Sequence, residues 1–344
     1  SLCEKTVQKA GFTYLSFTCI DSALPVEATF SFASPFSPGD EKVSGAPFFY
    51  VNVSLRARKA AKGRIWIAYS APVQMGSAPF ESEDGFVSGV SSTAVWDGEG
   101  PVKGEKINAS ILWAAGKDAK DIKWIEDKTA TDAHIPAGSI GFVWDFDTNK
   151  SGEVLSRETV LAAYTGGPLF QVKSERYRFR YAADFKNAEE VAAWSWANRR
   201  VVEKKRNAFE DSVRKRFAVP KAAALPEFAA LAFNSWLLNT WRMSGPKNED
   251  WFSVWQGASG MHSPPDAVYN EGPLYLDLWP ELLLVQLEEW QRFIKTPGVI
   301  PHDMGTGLNA GGQTLQYDMP VEEDTDFILL LGAYWKKTGD TSVF

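Results

Sequence analysis

The feature that most limits what this chain can become is a change of hydrophobic period at Asn187. Before it, apolar side chains alternate with polar or small ones in 12–17, 49–55, 64–69 and 177–181. Successive side chains of an extended chain point to opposite faces, so this is the pattern of strands with one buried face. Clusters of Gly, Pro, Ser and Asp punctuate the runs, as in 34–40. Many short strands at this spacing predict a β-sandwich over residues 1–185. After Asn187, the residues Val191, Trp194, Val201, Val202, Phe209, Val213 and Phe217 recur at near-helical spacing. Asn187 is placed to cap that helix, with Glu190 three residues on completing a capping box. Arg199, Arg200, Lys204, Lys205 and Arg206 then form the solvated face of one long amphipathic linker helix over 186–219.

From residue 220 onward the reading is helical. Pro226, Pro280 and Pro320 each suit a first helical turn, where a missing N–H costs nothing. Phe228, Leu231, Phe233, Trp236, Leu237, Leu238 and Trp241 cover most of a helix circumference, which predicts burial on several sides. Leu283, Leu287, Trp290 and Ile294 form one stripe of a second helix; Phe327, Leu330, Leu331 and Tyr334 mark a third, stopped near Gly339. The intervening stretches 243–278 and 297–318 read as long loops, and loops of that length are candidate site loops.

Composition removes several function classes. The net charge of −7 argues against a nucleic-acid or anionic-membrane surface. No run of 18 apolar residues exists, so no membrane span is expected. Only Cys3 and Cys19 are present, which leaves either one pairing or two free thiols and no Cys-rich zinc site. No leader pattern starts at Ser1, as expected also of a mature chain. The sequons at Asn52, Asn108 and Asn149 favour secretion or another extracytoplasmic location. Asp145, Asp147, Asn149 and Ser151 alternate like calcium ligands, but the sixth-position Gly and the twelfth-position Glu are missing, and an Asx-rich β-turn is the plainer reading. No cofactor or metal is expected.

Near the C-terminal end four motifs fall in order: Asp266, then Leu278-Trp279-Pro280-Glu281, then Pro301-His302-Asp303-Met304-Gly305, then Met319-Pro320-Val321-Glu322-Glu323. That order resembles the catalytic half of glycoside hydrolase families 116 and 52, retaining β-glucosidases and β-xylosidases, and of the related glutaminase-like proteins. The resemblance covers about residues 187–344. It implies an α+β two-domain protein: an N-terminal β-sandwich, a linker helix, and over 220–344 the first part of an (α/α)₆ barrel. A second chain or a further segment is then expected to complete the barrel, and a carbohydrate is the expected substrate.

The resemblance also implies roles for residues. Asp266 stands fourteen residues before Pro280 and ten after Gln256, and that register puts Gln256 at the family's nucleophile position. An amide cannot form a glycosyl ester or act as a carboxylate base. A deliberate Glu→Gln change and a natural loss of activity leave the same trace. A competing register uses Asn270-Glu271-Gly272 and makes Glu271 the nucleophile. Asp266 and His302 would face the glycone, with Trp255 beside them. A short carboxylate accepts from paired hydroxyls, and an imidazole can donate one hydrogen bond and accept another. A structural His bonded to backbone is the alternative for His302. Asp303 either orients His302 or caps the following turn. Glu322 and Glu323 either sit in a helix's first turn because its macrodipole favours them there or face substrate. The family's acid/base lies beyond Phe344. The function expected is therefore an exo-acting retaining β-glycosidase; the alternatives are an amidohydrolase or a non-catalytic carbohydrate-binding protein on the same scaffold.

Overall fold

A computed structural model describes residues 3–70, 76–77, 89–95, 104, 106–116, 121–125, 139–342 and 344. In chain order the first part gives β1 (Lys5–Ala10), β2 (Tyr14–Ile20), β3 (Val26–Ala33), a short helix α1 (Glu41–Gly45), β4 (Phe48–Ala57), β5 (Ala61–Ser70), β6 (Gly76–Ser77), β7 (Gly89–Val95), β8 (Lys106–Ala115), β9 (Ile122–Ile125), β10 (Ser139–Thr148) and β11 (Val154–Tyr164). One antiparallel sheet has the order β1-β2-β3-β4-β11-β8-β7-β6 and a second the order β5-β10-β9. Cys3 and Cys19 form a disulfide, beside the β1–β2 ladder that pairs Thr6 with Cys19.

Alternation along the central strands sorts side chains into two cores. Val51, Val53 and Leu55 of β4, Trp113 of β8 and Leu161 of β11 pack with Ile67, Phe142, Trp144 and Phe146 of the second sheet. Their neighbours one residue away, Phe48, Tyr50, Leu112, Val160 and Ala162, face the other way. They meet Val191 and Ala192 of helix α2 (Ala188–Ala197). The large sheet is thus covered by a sheet on one face and a helix on the other, which is why its central strands are apolar on both sides. The Asp145–Ser151 stretch makes ion pairs and a turn: Asp145 pairs with Arg64 at 2.5 Å and Lys123 at 3.1 Å, and Asp147 with Lys62 at 2.7 Å.

The long helix expected over 186–219 is two helices. Asn187 does cap α2, its side chain accepting from Glu190 N–H at 2.8 Å, while the Glu190 carboxylate accepts from Lys186 N–H at 2.9 Å. The helix then breaks at Asn198 (φ −104°, ψ 5°), whose side-chain amide donates to Trp194 O at 2.9 Å. Asn competes for backbone partners in this way and so ends helices. Helix α3 (Arg199–Phe217) follows. Its buried Glu210 accepts from Thr13 N–H and Thr13 Oγ1–H at 2.5 and 2.7 Å and pins the β1–β2 turn.

The remainder is less purely helical than its sequence suggests. Helices α4 (Leu225–Leu238), α7 (Pro280–Phe293) and α8 (Pro320–Thr338) begin at or beside the three prolines, and α8 stops at Gly339 with φ 74°. The stretch 243–278, expected as loop, holds the end of one strand, two further strands of a third sheet and two short helices. The chain contributes β12 (Phe170–Val172), β13 (Glu175–Phe179), β14 (Thr240–Ser244), β15 (Asp250–Gln256), β16 (Met261–His262) and β17 (Asn309–Ala310), in the order β16-β15-β14-β13-β12-β17. Helices α5 (Pro265–Tyr269) and α6 (Gly272–Leu278) lie between β16 and α7. Trp241, expected on α4, is a strand residue. Against the expected burial on several sides, α4 buries Ala230, Phe233 and Trp236 while Phe228 and Leu238 are 70% and 81% exposed. Of the α7 stripe, Leu283, Leu287 and Trp290 are buried, while Ile294 lies past the helix end and is exposed.

Candidate functional site

A groove of about 900 Å³ runs between α3, α4, the end of β15 and α6. Apolar side chains dominate it, among them the aromatic Phe217, Phe228, Phe233, Trp236 and Trp255, and its polar side chains include Gln256, Asn270 and Glu271. Gln256 closes β15 and pairs across to Met261. Its Oε1 accepts from Ser259 Oγ–H at 3.1 Å. Trp255 packs tilted against Trp241 and edge-on against His262, with ring centroids 4.7 and 4.9 Å away.

Glu271 is the residue preceding α6, and one turn later Tyr275 O–H donates to its Oε2 at 2.8 Å. Trp236 Nε1–H in turn donates to the Tyr275 oxygen at 2.8 Å. Burial pushes the Glu271 carboxyl up to about 7, against the Tyr275 hydrogen bond, which lowers it. The sequence offers Trp236 only as an apolar helix residue and does not single out Tyr275. The four-residue step from Glu271 to Tyr275 is a helical neighbour spacing and is the signal that points to the latter; nothing local points to Trp236.

A second group of polar side chains lies beside the groove. Asp266 in the first turn of α5, His302 in the 297–318 stretch and Glu323 in the first turn of α8 bring one ligand-type atom each within 4.8 Å of the others. Glu323 is fully buried, and its Oε2 accepts from Asp266 N–H at 3.1 Å. Its Oε1 is buried with no hydrogen-bond partner. Burial first, and the Asp266 charge second, push the Glu323 carboxyl up to about 8. His302 is 5% exposed. Glu322, by contrast, is exposed in the first turn of α8.

Asp303 takes both roles left open by the sequence. Its Oδ1 accepts from Gly305 N–H, Thr314 N–H and Thr314 Oγ1–H at 3.0, 2.8 and 2.9 Å, and its Oδ2 accepts from Leu315 N–H at 3.0 Å. His302 Nδ1 stands 3.3 Å from the same Oδ2. Gly305 is required two residues on. At φ 138° a Cβ there would lie 2.1 Å from Asn309 O. His262 is structural: burial lowers its imidazole to about 4, and its ring is held between Ser253 Oγ and Gly307 O.

The fold therefore gathers the sequence candidates in two sets. Trp255, Gln256 and Glu271 share the groove, and Asp266, His302, Asp303 and Glu323 share the buried cluster. Asn270 touches both, lining the groove while its side-chain amide donates to Asp266 O at 2.8 Å.

No family model matches this sequence, and no curated protein matches it. Among solved structures, a candidate kojibiose phosphorylase from the human microbiome superposes with a TM-score of 0.46 at 8% identity, over 94% of this chain and 41% of that one. A family GH92 α-mannosidase from Bacteroides thetaiotaomicron gives 0.40 at 10% identity, over 87% and 38%. The heparan sulfate lyase HepC from Pedobacter heparinus gives 0.28 at 14%, over 53% and 25%. The chain spans about two fifths of the length of the first two. These neighbours are carbohydrate-active enzymes by name; all three scores lie below 0.5, and the functional reading rests instead on the residues of the groove.

Proposed function

We propose that this chain forms part of the catalytic region of a glycoside hydrolase of the exo-acting, retaining β-glucosidase or β-xylosidase type, with a β-sandwich formed by β1–β11 and the start of an (α/α)₆ barrel over 220–344. The observation that carries the reading is Glu271, a half-buried carboxyl held near a pKa of 7 in an aromatic groove beside Gln256. A carboxyl that keeps its proton close to neutrality is what protonation of a glycosidic oxygen needs. A nucleophile must be ionised, so the raised pKa favours Glu271 as acid/base over the nucleophile role. Gln256, which lines the same groove, then occupies the nucleophile position, and a retaining site requires the restored carboxyl to stand about 5–5.5 Å from the acid. The half-buried Trp255 offers a flat apolar face of the kind sugar C–H groups pack on. The exposed Phe228, Leu238, Val321 and Ile328 fit further helical polypeptide completing the barrel. The Cys3–Cys19 disulfide fits an oxidising compartment.

The test is turnover of aryl β-glucosides and β-xylosides by Gln256→Glu and by Gln256→Glu/Glu271→Gln. Hydrolysis by the first, reduced about 10²–10⁴-fold in the second, is the expected outcome. Equal rates in both would remove Glu271 from the chemistry. One observation, the amide at Gln256, favours a non-hydrolytic carbohydrate-binding role for the chain as it stands. That reading predicts sugar binding by the unaltered chain with no turnover in either variant.

A further inference from the structure

The buried cluster beside the groove has a feature that hydrogen bonding to a sugar does not explain. A sugar ring needs open surface, yet Glu323 is fully buried and His302 is 5% exposed. Two carboxylates and an imidazole nonetheless converge within 4.8 Å. One carboxylate oxygen, Glu323 Oε1, is buried without any partner. Leaving an acceptor in that condition is costly, and placing a second carboxylate beside it adds repulsion. A small cation resolves both. Tetrahedral bonds of about 2.0–2.2 Å set ligand atoms about 3.3–3.6 Å apart, so side chains within 4.8 Å of one another need draw in by less than about 1 Å each.

The imidazole is also held as a metal ligand's would be. Asp303, fully buried, faces His302 Nδ1 at 3.3 Å, which leaves Nε2 as the donor atom. A carboxylate behind the far nitrogen fixes the tautomer and raises ligand basicity. Asp303 is itself immobilised by four further hydrogen bonds from Gly305, Thr314 and Leu315. The three ligands come from three separate elements, α5, the 297–318 stretch and α8, so a bound ion would tie them together. The α8 macrodipole opposes a cation at its N-terminus, but that effect is small beside two carboxylate charges.

We propose that Asp266, His302 and Glu323 bind a single divalent cation of the zinc or manganese class, with Asp303 as the positioning residue behind His302. Mixed imidazole and carboxylate ligands suit these ions, whereas calcium and magnesium prefer oxygen alone. The site goes beyond the glycosidase reading and does not depend on it.

The experiment is equilibrium dialysis of the EDTA-treated 344-residue chain against Zn²⁺, and separately Mn²⁺, with elemental analysis of the bound metal. One equivalent should bind, and the metal should raise the melting temperature. Asp266→Asn, His302→Gln and Glu323→Gln should each weaken binding 100-fold or more. Asp303→Asn should weaken it about 10–100-fold and shift the visible band of bound Co²⁺, which a purely structural effect would leave in place. X-ray absorption of the Zn²⁺-loaded unaltered chain needs no variant to fold: it should show one imidazole and oxygen ligands, with no sulfur. Absence of stoichiometric Zn²⁺ or Mn²⁺, binding unchanged in His302→Gln, or a spectrum with no imidazole or with two would each overturn the site. None of these readouts uses turnover, so failure here leaves the glycosidase reading standing, and the reverse.

Discussion

Replacing Glu271 by Gln tests the electrostatics of the groove through stability rather than activity. An isolated Glu carboxyl titrates near 4.5, and burial holds that of Glu271 up to about 7. The folded chain therefore binds a proton between those values that the unfolded chain has lost. Stability then falls as pH rises through that window, because the folded state binds more protons. The step from 4.5 to about 7 corresponds to about 3 kcal/mol of stability. That contribution is fully present below pH 4.5 and lost as pH rises through 7. Gln keeps the size of the side chain and an oxygen able to accept from Tyr275 O–H, but it has no proton to lose. Near pH 5 the variant should match the unaltered chain within about 1 kcal/mol. At pH 8 it should be the more stable by up to about 3 kcal/mol. Glu323, with its own raised pKa of about 8, adds a pH slope to both proteins and cancels in the difference. The assay is urea unfolding followed by Trp fluorescence at pH 5, 6, 7 and 8. A difference that stays flat across this range, or a variant weakened at pH 8, would refute the raised pKa and with it the acid role proposed for Glu271.

Tyr275→Phe removes a hydrogen bond that lowers the Glu271 pKa, so the Glu271 carboxyl resonance should titrate at higher pH than in the unaltered chain. The same change strips Trp236 Nε1–H of its acceptor and should cost about 1–3 kcal/mol in urea unfolding. Gly305→Ala sets a Cβ against Asn309 O at φ 138°. It should destabilise the 297–318 stretch by at least about 1–3 kcal/mol, read as faster amide exchange there.

What the sequence determined by itself is what travels along the chain over a few residues. The alternation in 49–55 dictated a two-faced strand, and β4 buries Val53 and Leu55 on one side and Phe48 and Tyr50 on the other. Asn187 capped a helix because its side chain needs only the amide three residues ahead. Pro280 and Pro320 open helices because their rings fit a first turn and nowhere later. Tertiary structure decided the rest. The third sheet joins Phe170–Val172 and Glu175–Phe179 to strands more than sixty residues away, and no local pattern records which distant edge a strand will find. The break at Asn198 turned on one side-chain amide reaching Trp194 O in a run whose spacing is otherwise helical. The sites divide in the same way. Glu271 was visible as a loop carboxyl, but its pKa depends on burial and on Tyr275. Asp266, His302 and Glu323 were each singled out separately, whereas their meeting, with one oxygen left unpaired, comes from how α5 and α8 pack. Residue type limits the chemistry a side chain can do; its distance to others, and the water excluded around it, exist only once the chain has folded.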